Sequence, residues 1–218
     1  MARIILAEEA APATPSAGNG VIYVDATSSK LSFIDDAGRK YVVTGGGLTN
    51  SSIAAQTVNA ADTYLTDSDL LIPSFGVQAR TRFTWQVSAS KTGAGTATPI
   101  YNIRIGANRT TADSARLVLT GPAQTAIADI GTLTVMITVR SIGAAGVIQG
   151  TAFWAHRGTA ASTTVSGTGF ANDVTGHVEG TSAGFDNAAL GGSFIGLSVH
   201  SGTAGVWTVT QVHATAEF

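Results

Sequence analysis

The chain has 218 residues, with 12 Lys plus Arg against 14 Asp plus Glu, a net charge of −2 and no cysteine. Disulfides, thiolate metal centres and cysteine nucleophiles are therefore excluded. No Lys or Arg follows Arg157, so the clustered cations of a nucleic-acid footprint are missing. Charged residues make up only 12%, about half the usual share. Gly, Ala, Ser and Thr take their place, and Arg outnumbers Lys nine to three. A neutral, Arg-biased surface suits contact with other protein chains.

In chain order, Ile4-Ile5-Leu6 forms a short apolar tip ahead of Glu8-Glu9. It is too short for the apolar core of a signal peptide. No window approaches the length of a membrane-spanning helix. The expectation is a chain made in the cytoplasm without a signal peptide and without a membrane partner. Residues 1–19 read as a flexible arm. Val21–Asp25, Leu31–Asp35 and Lys40–Val43 then read as a three-strand meander. Turn residues at Ala26–Ser29 and Asp36-Ala37-Gly38 supply the reversals, and residues 20–47 close on a Gly45–Gly47 linker. So small a unit is marginal in water, yet apolar residues lie on both of its sides. It needs cover, from copies of itself or from the sheet edge of another protein.

Residues 48–218 alternate with period two, the pattern of half-buried strands. Thr81, Phe83, Trp85, Val87 and Ala89 share one face of Arg80–Ser90. Tyr101, Ile103 and Ile105 do so in Pro99–Gly106, and Leu133, Val135, Ile137 and Val139 in Gly131–Ile142. Ile195, Leu197 and Val199 do so in Ser193–His200. In Val206–Glu217 the inward register passes from Trp207 and Val209 to Val212, Ala214 and Ala216, which predicts a β-bulge near Gln211. Weaker strands are expected at Ile53–Val58, Thr63–Ile72, Ala115–Leu119, Val147–His156, Ser162–Thr168 and Gly176–Ser182, with a short helical turn at Ala123–Asp129. The fold class is therefore all-β: an antiparallel, jelly-roll-like β-sandwich behind a small N-terminal meander.

The search for chemistry ends without a catalytic, cofactor or metal constellation. His156, His177, His200 and His213 lack metal-ligand spacing. No G-x-S-x-G elbow is present. The acidic pairs Asp35/Asp36 and Asp67/Asp69 sit in turn-like segments, and two acids fall short of a calcium shell. Phe153 and Trp154 are adjacent, so one faces outward. With His156 and Arg157 they could form a contact patch for a sugar or a protein.

The segment Pro15–Val43 reads P-S-A-G-N-G-V-I-Y-V-D, then K-L-S-F-I-D-D-A-G, then R-K-Y-V-V. It resembles the opening of tailed-bacteriophage virion structural proteins: fibre, tail, head-spike and capsid-decorating types. Pro15, Gly18, Tyr23, Lys30, Leu31, Asp35, Asp36 and Gly38 carry the likeness. The resemblance implies a non-enzymatic homotrimer on the particle exterior, held to other virion proteins by its N-terminal segment. The major capsid protein is the leading partner, with a host glycan in a receptor-binding alternative. On that reading the attachment residues are Ile4, Ile5, Leu6, Val21, Ile22, Tyr23, Val24, Leu31, Phe33, Ile34, Tyr41 and Val42.

Overall fold

The computed structural model describes all residues except 1–7, 11, 27–29, 37, 39, 43–47, 75, 93–95, 125, 127, 159–176 and 203–205. The expected tip at Ile4–Leu6, the Gly45–Gly47 linker and the Ser162–Thr168 strand lie outside the described residues. The chain divides into two units, Met1–Leu48 and Thr49–Phe218.

The first unit is one sheet of four strands in the order β1 (Glu8–Glu9), β2 (Gly20–Asp25), β3 (Lys30–Asp35) and β4 (Lys40–Val42). The last three form the antiparallel meander. Part of the leader joins it, because β1 runs parallel to the end of β2, with Glu8 opposite Val24. The leader is tied in a second place: the Gly18 amide donates to the Asp36 carboxylate at 2.7 Å.

The second unit is an antiparallel β-sandwich. Its shorter strands are β5 (Leu48–Ser52), β6 (Gln56–Val58), β7 (Thr63–Tyr64), β8 (Leu70–Leu71) and β14 (Val178–Thr181). Its longer strands are β9 (Arg82–Lys91), β10 (Ile100–Gly106), β11 (Ser114–Thr120), β12 (Asp129–Ser141), β13 (Val147–Gly158), β15 (Phe194–His200) and β16 (Trp207–Glu217). One sheet runs β11-β10-β15-β7, with β8 also on β15. The other runs β14-β13-β12-β9-β16-β5, with β6 also on β16.

Alternation places the core as the sequence predicts. Phe83, Trp85, Leu133, Val135, Ile103, Leu197 and Val209 are all buried. The bulge falls between Val209 and Gln211. Burying an indole obliges its N–H to find an acceptor, and the three tryptophans do so differently. Trp85 donates to the Ser68 carbonyl, Trp154 to the Tyr101 hydroxyl of the facing sheet at 2.7 Å, and Trp207 to Gln124 Oε1 at 2.9 Å. Gln124 in turn donates to the Ala97 and Ser201 carbonyls.

Three expectations change. The strand expected over Thr63–Ile72 is two short strands, because Asp67 takes a left-handed conformation (φ 58°) that turns the chain between them. The described residues of 121–128 are irregular rather than helical. Gln124 is drawn inward there to serve Trp207, and Asp129 already begins β12. β5 was not anticipated, because Leu48–Ser52 carries one apolar residue and no alternation.

Candidate functional site

Cross-strand register decides which meander residues can meet a partner. Residues directly opposite in an antiparallel pair share a face. Val21 pairs with Ile34 and Tyr23 with Ser32, which defines one face; Ile22 pairs with Phe33 and Val24 with Leu31, which defines the other. On the first face Tyr23 and Ile34 are 2% and 3% exposed. Both were expected at a contact between chains, and that expectation is corrected: a single chain already buries them. On the second face Ile22 is 58% exposed, and Val24 and Phe33 are half-buried. Leu31 and Tyr41 occupy register positions on this same face and Val42 on the first; the side chains of these three are outside the described residues. Gly20 keeps the second face flat, since a Cβ there would run into the Phe33 ring.

The Phe153–Arg157 patch is also corrected. Trp154 is 3% exposed and points into the core. It stands opposite the inward Leu133, whereas Phe153 stands opposite Thr134. Only Phe153 is left on the outer face; the side chains of His156 and Arg157 are outside the described residues. Around Phe153 that outer face carries Ser88, Thr132, Thr134, Met136 and Thr151, with Glu179 opposite Thr151 on the edge strand. A further charged pair stands at one end, where Arg82 lies 4.0 Å from Glu217.

The outer face of the other sheet has a different chemistry. Arg104 is the hub. Its Nε donates to Ser198 Oγ at 2.7 Å, its Nη1 to the Thr111 and Asp113 carbonyls, and its Nη2 to the Asp62 carboxylate. Asp113 fixes the β10–β11 turn by accepting from the Asn108 amide and side chain and from the Arg109 amide. Arg109 then reaches across: its Nε lies 2.9 Å from Asp69, and its guanidinium sits 4.9 Å over the Phe194 ring. Tyr64 packs against Gly196, where a Cβ would occupy the place of the hydroxyl. Burial, with the Asp69 and Asp113 charges adding to it, holds the Tyr64 hydroxyl above the ordinary tyrosine range.

Of the acidic pairs, Asp69 is buried against Arg109, so a guanidinium stands where a cation would, and Asp36 caps the leader. Among the described residues no three His, Asp or Glu side chains converge on a metal position. His177 neighbours Glu179 at 3.4 Å, and His200 Nδ1 accepts from the Gly202 amide. The chain matches no protein-family model and no curated protein.

Proposed function

We propose that this chain is a non-enzymatic structural protein of a tailed-phage particle. It docks on the particle, on the major capsid protein as a decoration or spike, and displays its sandwich outward. The observation that carries the reading is Ile22, 58% exposed on an apolar face of the meander, a sheet too small to be an independent core. The resemblance of Pro15–Val43 to virion openings supports it. Ser68 and Gln124 in the sandwich interior support it too, since their side chains serve backbone and indole groups. The outer face around Phe153, where Glu179 is the one charged neighbour among the described residues, suits self-association, because charged residues are depleted at interface cores. On this reading three copies associate.

The test uses particles grown without this protein. Full-length chain should cosediment with them and raise their melting temperature, and light scattering of the free chain should give a trimer. The chain lacking residues 1–47 should stay in the supernatant. Equal binding of the truncated chain would remove the attachment role.

A further inference from the structure

The 62–69 segment and the β10–β11 turn enclose an open concavity of about 550 Å3 on the second unit. That volume falls within the range of small-molecule sites. Tyr64, Thr66, Asp67, Asn108, Arg109 and Thr111 line it. Its charges are nearly all matched: Asp62 pairs with Arg104 and Asp69 with Arg109. Asp67 alone has a carboxylate with no partner among the described residues.

The remaining groups are held in fixed directions. Asn108 donates its side-chain N–H to Asp113 at 2.9 Å, which leaves its carbonyl oxygen as an acceptor. The Arg109 plane is set by Asp69 on one side and by the Phe194 ring beneath, which leaves its terminal N–H groups as donors. Asp67 and Arg109 both hold left-handed backbone, at φ 58° and 59°. Such conformations cost energy in non-glycine residues and persist where the surroundings enforce them.

A planar acceptor, a planar donor and threonine hydroxyls on an open surface match the adjacent hydroxyl groups of a sugar. The unmatched Asp67 charge disfavours anions, so phosphorylated and carboxylated ligands are selected against. One free carboxylate is far short of the six to eight oxygens of a calcium shell. We infer that this concavity binds a neutral saccharide, with Asp67 accepting from one hydroxyl and Arg109 donating to its neighbour. The inference does not depend on the docking role of the meander, which lies in the other unit.

The test is saturation-transfer NMR on the full chain. Neutral probes are oligosaccharides of glucose, galactose and N-acetylglucosamine; acidic probes are sialyllactose and glucose 6-phosphate. Hits are titrated by calorimetry against Asp67→Asn, which keeps the left-handed backbone because Asn tolerates it. Neutral probes should bind, and Asp67→Asn should weaken them about tenfold at unchanged melting temperature. If that variant melts early, Thr111→Ala on the exposed turn supplies the comparison, with weakened binding expected. Silence of every neutral probe at millimolar concentration, a preference for the acidic probes, or undiminished affinity in the variants would overturn the inference.

Discussion

At the scale of single residues, polar groups are placed by the absence of atoms as much as by their presence. The Tyr64 hydroxyl lies over Gly196 because no Cβ stands in its way. Gly196→Ala should therefore cost about 2 kcal/mol by overpacking, measured by urea unfolding. The same change in a Tyr64→Ala background should be nearly silent; an equal cost in both backgrounds would show that the contact is not the cause. Tyr64 and Tyr101 also carry a pH signature. Burial pushes both hydroxyls above the ordinary tyrosine range, and the Trp154 hydrogen bond offsets part of this at Tyr101. A raised folded-state value means that only the unfolded chain ionises near pH 10. The stability these groups contribute is complete below about pH 10 and is lost as pH rises beyond it. Unfolding free energy should fall above that pH, and the fall should be shallower in Tyr64→Phe. An unchanged slope in that variant would contradict the assignment.

At the scale of elements, the long strands were legible because their apolar residues alternate with polar or small ones; β9 and β16 bury one face and wet the other, whereas β15 is buried on both, its Ser198 and Gly196 covered by Arg104 and Tyr64. The alternation in β9, β12, β15 and β16, and the slip at Gln211, could be read directly. Legibility failed where both neighbours are apolar. Nothing in Phe153-Trp154 says which ring turns inward; the pairing of Trp154 with Leu133 decides it. The same holds in Val21–Val24, where apolar side chains alternate with apolar side chains and only the register to β3 separates the buried Tyr23 from the exposed Ile22. β7 and β8 were hidden because one left-handed aspartate interrupts a run of strand-forming residues. The concavity was illegible for another reason. Its walls come from segments some forty residues apart, and its charge balance depends on Arg104 and Arg109 each finding its own aspartate.

At the scale of the whole molecule, charged residues make up only 12% of the chain, and charge is what interface cores lack. The two outer sheet faces of the second unit differ in chemistry: a sparsely charged one around Phe153, and an Arg–Asp network framing a polar hollow on the other sheet. The first unit is a small sheet that leaves Ile22 exposed. The most direct test of the docking account is a single substitution at that position. Ile22→Asp replaces a side chain that is already 58% exposed, so the fold should survive while the apolar contact does not. Cosedimentation with particles grown without this protein should be lost in the variant, with its circular dichroism and melting temperature unchanged. A folded Ile22→Asp chain that binds those particles as tightly as the parent would contradict the account.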